Sequence, residues 1–160
     1  MAANLTSGTS QSYDAGHGIR IFQGVEPDIV MIQEFKYGGS STSEIRSFVD
    51  AAFGTTFSYY REGGSGIPNG IISRYPIIQS GEWNDSSVAD RDFAYARIDI
   101  PGPTDLWAVS VHLLTSSSGS RSTEAQQLVN YIQQQVPAGD YLVIGGDLNT
   151  ASRGESCVTK

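Results

Sequence analysis

Residues 141–150 read Tyr-Leu-Val-Ile-Gly-Gly-Asp-Leu-Asn-Thr. Tyr141, Leu142, Val143 and Ile144 form a short β-favouring run of the kind that builds a buried strand, and Gly145 and Gly146 end it. Two polar side chains follow, Asp147 and Asn149. The glycines accept backbone angles closed to other residues and leave room for a ligand. An acceptor-only carboxylate and a carboxamide therefore stand side by side at the mouth of a sheet. Oxygen ligands at the C-terminal end of a strand suit a hard cation such as Mg²⁺, which takes one or two carboxylates and leaves its other positions to water and phosphate. The same residues also suit a plain Asp-Leu-Asn turn that caps whatever follows. A second acidic strand end is needed to choose between the two.

Residues 27–34 supply one. Pro27 stops a segment in which Ile19, Phe22 and Val25 recur at helical spacing. Ile29-Val30-Met31-Ile32-Gln33 then reads as a strand apolar on both faces, ending at Glu34. Ser41-Thr42-Ser43-Glu44 has the form of a capping box; Ile45, Phe48, Val49 and Ala52 fall on one helix face, which Gly54 closes. Strands are predicted over residues 57–61, 69–74 and 77–83, with a Gly-rich loop over 62–68. Residues 93–100 alternate with period two, Ala94, Ala96, Ile98 and Ile100 on one face and Phe93, Tyr95, Arg97 and Asp99 on a wetter one.

Residues 106–113 form a mostly apolar strand with His112 near its end, followed by a Ser-rich loop over 114–120. Ser122 caps a helix striped by Ala125, Leu128, Val129 and Ile132, which Pro137-Ala138-Gly139 ends. At the N-terminus Asn4-Leu5-Thr6 reads as the end of a strand, and the loop over 7–18 carries His17 as a surface residue. Helices early and late with hairpin-like strands between them predict a mixed sheet, or a pair of sheets, with helices outside.

A chain of 160 residues fits one domain that buries about 70% of the surface exposed when unfolded. The net charge of −7 with ten Lys and Arg excludes a basic stripe for nucleic acid, so any such binding would rest on a metal and local arginines. Cys157 is the single cysteine, which excludes an internal disulfide and a cysteine metal cluster. No apolar run approaches the ~18 residues of a membrane span, and Met1-Ala-Ala-Asn-Leu lacks the pattern of a signal peptide. Richness in Gly, Ser and Thr with few lysines suits a secreted protein, and no protein partner is implied.

Glu34, His112, Asp147 and Asn149 all lie at or just beyond strand ends, which in a layered α/β domain gather on one edge. Each has a plainer reading: Glu34 as a solvated strand end, His112 as a hydrogen-bonded histidine at a sheet edge, Asn69 as the start of its strand. Arg91 with Asp92 reads as an ion pair, a loop clamp or a phosphate contact.

Taken in order, five segments resemble the endonuclease/exonuclease/phosphatase superfamily, the deoxyribonuclease I-like fold, through nearly the whole chain. They are Asn4-Leu5-Thr6, Pro27-Asp28-Ile29-Val30-Met31-Ile32-Gln33-Glu34, Asn69-Gly70-Ile71-Ile72-Ser73-Arg74-Tyr75-Pro76-Ile77, Ser110-Val111-His112-Leu113 and Gly145-Gly146-Asp147-Leu148-Asn149. The resemblance implies an α/β four-layer sandwich of two mixed β-sheets flanked by helices, a single domain over residues 1–160. It also implies Mg²⁺- or Mn²⁺-dependent hydrolysis of phosphoester bonds, in nucleic acid or in a phosphorylated small molecule or lipid. By that likeness Glu34 binds the metal, Asn4 helps hold metal or phosphate, and Asn69 and Arg91 contact phosphate. His112 contacts the scissile phosphate or assists the leaving group, Asp147 positions or deprotonates the attacking water, and Asn149 orients the phosphate.

Members of this superfamily continue past Gly-Asp-x-Asn to a Ser-Asp-His or similar motif, whereas this sequence stops at Lys160. The expectation is therefore an incomplete sandwich lacking its C-terminal portion and inactive, or nearly so, by itself. The competing readings are a catalytically silent metal- or ligand-binding module of the same fold, and a Ca²⁺-binding surface protein using Asp147 and Asn149.

Overall fold

Two four-stranded sheets divide the apolar runs between them. The structure, a computed structural model, describes residues 1–5, 15–64 and 66–158; Thr6, residues 7–14 of the expected loop, and Lys160 lie outside these. The first sheet contains β1 (Ala2–Asn4), β2 (Ile29–Gln33), β3 (Ser58–Arg61) and β4 (Gly70–Ser73) in the order β1-β2-β4-β3. The second contains β5 (Ile77–Trp83), β6 (Phe93–Ile98), β7 (Leu106–His112) and β8 (Tyr141–Asp147) in that order. Both sheets are mixed: β1 with β2 and β7 with β8 run parallel, and the remaining pairs are antiparallel.

Helices α1 (Ala15–Val25) and α2 (Thr42–Phe53) cover the outer face of the first sheet, where Phe22, Ile45, Phe48 and Val49 pack on Val30, Ile32 and Ile72. The capping box forms as read: Ser41 Oγ accepts the Glu44 N–H, and the Glu44 carboxylate accepts the Ser41 N–H. Helix α3 (Ser118–Gln135) lies on the second sheet, its Leu128 in one cluster with Trp83, Trp107, Val109 and Val111. Between the sheets sit Met31, Ile71, Ala96, Ile98 and Ala108. Helices, sheet, sheet and helix make the four layers of the expected sandwich.

Several local expectations are corrected. The glycines after Ile144 do not end the strand: the ladder runs through Ser110↔Gly145 and Val111↔Gly146 to His112↔Asp147. They serve close approach, since a Cβ on Gly146 would collide with the Val111 carbonyl and one on Gly145 with the Met31 side chain. Nor is this strand buried throughout. Tyr141, Leu142 and Ile144 are 59%, 39% and 43% exposed, because among the described residues β8 pairs with β7 alone, and an apolar run does not by itself distinguish an edge strand from a central one.

The Phe93, Tyr95, Arg97 and Asp99 face of β6 is the less buried one, as expected, with Asp99 exposed and Ala94, Ala96 and Ile98 opposite fully buried; toward α3 it is partly roofed, Phe93 being buried and Tyr95 stacking on Trp83 at 4.7 Å and Trp107 at 5.6 Å, with Tyr131 of α3 stacked on Trp83. Ser117 rather than Ser122 caps α3, its side chain accepting the Ser120 N–H. Among several serines able to cap, packing selects the one that lets α3 bury Arg121 and Glu124. His17 is exposed, as expected, but on α1 rather than in a loop.

One buried polar contact joins the sheets. Gln33 Nε2 donates to Ser110 Oγ at 2.8 Å, and Ser110 Oγ donates to the Ile32 carbonyl at 2.9 Å. Ser110→Ala leaves the Gln33 amide with only the longer bond to the Met31 carbonyl at 3.2 Å. Stripping a partner from a buried polar group costs about 1–3 kcal/mol; urea unfolding is expected to show a loss in that range, and a loss below about 0.5 kcal/mol, the size of a surface substitution, would mean the bridge does not hold the sheets together.

Candidate active site

Strand direction decides which residues meet. β1 and β2 run parallel and end together at Asn4↔Gln33; β7 and β8 run parallel and end together at His112↔Asp147. With the sheets bridged at Gln33 and Ser110, these four C-terminal ends open at one edge, where an α/β fold presents its ligand site. Asn4 Nδ2 donates to Glu34 Oε1 at 3.3 Å and to Asp147 Oδ2 at 3.0 Å. An amide of one sheet thus links a carboxylate of its own sheet to a carboxylate of the other.

The turns beyond the strands are tightly held. Glu34 and Asn149 both have φ of +50°, a left-handed conformation uncommon outside glycine and one that clusters at functional sites. After Glu34, the Phe35 N–H donates to the Pro68 carbonyl at 2.8 Å, and the Phe35 ring is fully buried. After Asp147, Oδ1 accepts the Asn149 N–H at 3.0 Å, and Asn149 Nδ2 donates to the Leu113 carbonyl at 2.8 Å. His112 Nε2 lies 3.9 Å from Asp147 Oδ2. A cavity of about 670 Å³ opens over Asn4, Gln33, Asp147 and Asn149, with Arg121 on its wall.

Burial, and then the Arg91 charge, hold the His112 imidazole below its usual 6.5, against the opposing pull of Asp147, Glu34 and Asp90. It is therefore neutral at neutral pH. It is only 6% exposed, and its Nδ1 has no hydrogen-bond partner.

Asn69 and Arg91 lie further along the same edge. Asn69 is fully buried; its N–H donates to Glu62 Oε2 and its Nδ2 to the Asp92 carbonyl, both at 2.7 Å. Arg91 Nε donates to the His112 carbonyl at 2.6 Å and its NH2 to the Leu113 carbonyl at 3.4 Å. It is a loop clamp, but its ion pair is with Asp90 at 3.2 Å. Asp92, the expected partner, instead accepts the Asp85 N–H at 2.7 Å. The edge thus brings together Asn4, Glu34, His112, Asp147 and Asn149, with Asn69 and Arg91 buttressing it.

Sequence reading gave no role to Gln33, Ser110 or Arg121. Arg121 donates to the Leu114 and Thr115 carbonyls and to both oxygens of Glu155, tying the segments that follow β7 and β8 to α3. Nothing in a Ser-rich stretch marks an arginine for such a post; the Gln-Glu pair at the end of β2 was the visible signal for Gln33.

The donor set suits a hard divalent cation. Glu34 and Asp147 bring two carboxylates to one amide beside an open cavity. Among the described residues no group of three or more His, Cys, Asp or Glu converges as a protein-only cage. Such a cation would be held by one or two carboxylates and completed by water and phosphate, the habit of Mg²⁺.

A sequence model of the endonuclease/exonuclease/phosphatase family matches residues 15–157. No curated protein matches by sequence. Among solved structures the chain is similar to a humanized D. rerio TDP2, with 16% identity and a TM-score of 0.75 over 98% of this chain and 64% of that one. It is also similar to D. rerio TDP2 in complex with a single-strand DNA product, at 14% identity and a TM-score of 0.73 over 99% and 63% of the two chains. A mannosyl-6-phosphatase from Bacteroides thetaiotaomicron matches at 14% identity and a TM-score of 0.75 over 99% and 68%. At these identities the likeness is one of fold. The chain spans just under two thirds of the length of the TDP2 structures.

The buttressing end of the edge is sensitive to pH. Burial pushes the Glu62 carboxyl from 4.5 up to about 7. Between these values the folded chain holds a proton that the unfolded chain has released, so stability falls as pH rises from about 4.5 to about 7. Glu62→Gln, neutral throughout, is expected to flatten that slope. Urea unfolding at pH 5 and pH 8 should show the variant gaining on the wild type at the higher pH, and parallel losses at both would contradict the assignment.

Proposed function

The chain belongs to the endonuclease/exonuclease/phosphatase family, and from that premise we propose that its parent protein hydrolyses phosphoester bonds with Mg²⁺ or Mn²⁺ held at Glu34 and Asn4. The observation that carries this reading is the Asn4 amide, within hydrogen-bond distance of the Glu34 and Asp147 carboxylates from two different sheets. When bound, such a cation supplies charge neutralisation at the phosphoryl oxygens. Asp147, fixed by Asn4 on one oxygen and by the Asn149 N–H on the other, is the carboxylate that orients the attacking water and accepts its proton. Asn149 stands beside it on the cavity wall and orients the phosphate. Neutral His112, close behind Asp147, presents a donor toward the phosphate or the leaving oxygen without adding charge. Arg91 and Asn69 contribute to phosphate binding chiefly through the strand ends they hold.

The known structures differ in substrate: one TDP2 holds a single-strand DNA product and another relative is a mannosyl-6-phosphatase. A net charge of −7 opposes long polyanions, so we place the substrate among small or lipid phosphoesters. Richness in Gly, Ser and Thr is our ground for placing the protein outside the cell.

Glu34→Gln is expected to weaken Mn²⁺ binding, followed by electron paramagnetic resonance, at least about tenfold. Asp147→Asn should lower bis-p-nitrophenyl phosphate hydrolysis by the parent protein by roughly 10²–10⁴, whereas the 160-residue chain alone turns over slowly or not at all. Mn²⁺ affinity unchanged by Glu34→Gln would end this reading. A parent that binds Mn²⁺ but hydrolyses nothing would be the silent module.

A further inference from the structure

The peptide units that follow β7 are held at both ends. The His112 carbonyl accepts Arg91 Nε at 2.6 Å, and the N–H of that unit, from Leu113, donates to the Asp147 carbonyl at 2.9 Å. The Leu113 carbonyl accepts Asn149 Nδ2 at 2.8 Å and Arg91 NH2 at 3.4 Å. The N–H of this second unit, from Leu114, donates to both oxygens of Glu124 at 3.1 Å. A planar unit fixed at its oxygen and at its nitrogen has no freedom to rotate, so the backbone that carries His112 leaves β7 in one direction. Glu124 reaches this turn from α3, and it is fully buried.

Glu124 also joins the turn to the loop over residues 84–92. Its carboxyl is in hydrogen-bond contact with that of Asp85, itself buried, and two carboxyl groups form a hydrogen bond only while one of them keeps a proton. Burial first, and then the bond to Asp85 and its charge, push the Glu124 carboxyl up from 4.5 to about 7, against the Leu114 N–H and the Arg91 charge. Glu124 is therefore the partner that holds the proton. The charged groups around the pair are engaged elsewhere: Arg91 with the two carbonyls and Asp90, Arg121 of α3 with Glu155 and the Leu114 and Thr115 carbonyls, and Asp92 with the Asp85 N–H. His112 is neutral. Gln127 of α3 pins the same loop, its Oε1 accepting the Ser86 N–H at 3.0 Å and its Nε2 donating to Ser87 Oγ at 3.2 Å. The loop that carries Arg91 thus rests on α3 at Gln127 and at the Asp85–Glu124 contact.

Resting on the phosphoesterase reading above, we propose that Glu124 is a positioning residue for His112 and Asn149, and that the proton it shares with Asp85 sets the upper pH limit of the reaction. Glu124 is not among the residues lining the cavity over Asp147; it acts through the Leu113–Leu114 peptide unit. When the proton is lost, two buried carboxylates of like charge are left in contact, which burial and repulsion both oppose. The loop over 84–92 then draws away from α3, and Arg91 releases the His112 and Leu113 carbonyls.

The test follows the Leu114 amide and the His112 imidazole of the 160-residue chain by NMR from pH 6.5 to 8.5, above the range in which His112 itself titrates. In the wild type both signals are expected to move together, with a midpoint at about 7. Glu124→Gln keeps an acceptor for the Leu114 N–H and a donor toward Asp85 at every pH, and is expected to remove the inflection from both signals. Asp85→Asn, the second variant should that change impair folding, removes the like charge and is expected to lower the midpoint. Glu62→Gln controls for the other carboxyl raised to about 7 and should leave the inflection in place. In the parent protein acting on bis-p-nitrophenyl phosphate, the ratio of kcat for Glu124→Gln to kcat for the wild type is expected to rise about tenfold from pH 6.5 to 8.5, with Mn²⁺ affinity the same in both. An inflection that survives Glu124→Gln, or one that Glu62→Gln removes, overturns the proposal. So does a Leu114 signal that titrates while His112 stays still, which would leave Glu124 a structural residue only. If the parent turns over but the ratio stays flat, the pH limit falls and the phosphoesterase reading stands. A parent that hydrolyses nothing at any pH ends the phosphoesterase reading, and the pH limit with it, even where both signals titrate through Glu124.

Discussion

The Ser110 hydroxyl is the smallest group on which the site depends. Placed between the Gln33 amide and the Ile32 carbonyl, it locks the ends of two central strands from different sheets in register. Apolar packing between sheets is non-directional and tolerates sliding; a hydrogen bond with both partners fully buried does not. A slip of one residue would turn every side chain of a strand to its other face, and the approach of Asn4 to Glu34 and Asp147 would be lost. Parallel pairing at β1–β2 and β7–β8 does the rest. It sends two strand ends from each sheet to the same edge, and the left-handed turns at Glu34 and Asn149 end the strands where the polar groups stand.

The edge is electrostatically divided. At one end carboxylates of both sheets share an amide beside an open cavity, with a histidine kept neutral by burial and by Arg91. At the other, a buried glutamate with a raised pKa faces further carboxylates. Arg91 separates the two, its charge spent on backbone carbonyls and Asp90. On the function proposed above, an acidic chain holds a phosphoester without a basic surface, the cation site supplying the attraction for the phosphate.

Much of this was legible in the residues. Ile45, Phe48, Val49 and Ala52 are the buried face of α2 and Ser41 is its cap, because a helix's period and its first turn are local properties. The run at 29–33 is a central strand, and the order of the motifs pointed to the family that the chain joins. Less visible were features set by partners distant in the chain. Arg91 pairs with Asp90 rather than Asp92, and Ser117 rather than Ser122 caps α3. In each case the alternatives were chemically equivalent locally, and packing chose between them.

By itself the sequence determined which segments are strands and helices, which polar residues end them, and which metal chemistry those residues suit, because each depends on side-chain type and short-range spacing. Only the tertiary structure decided that Asn4 stands between Glu34 and Asp147, that glycines continue β8 instead of ending it, and that a second acidic cavity opens on the same edge. Those facts rest on contacts between strands many residues apart, and no local pattern encodes the register of two sheets.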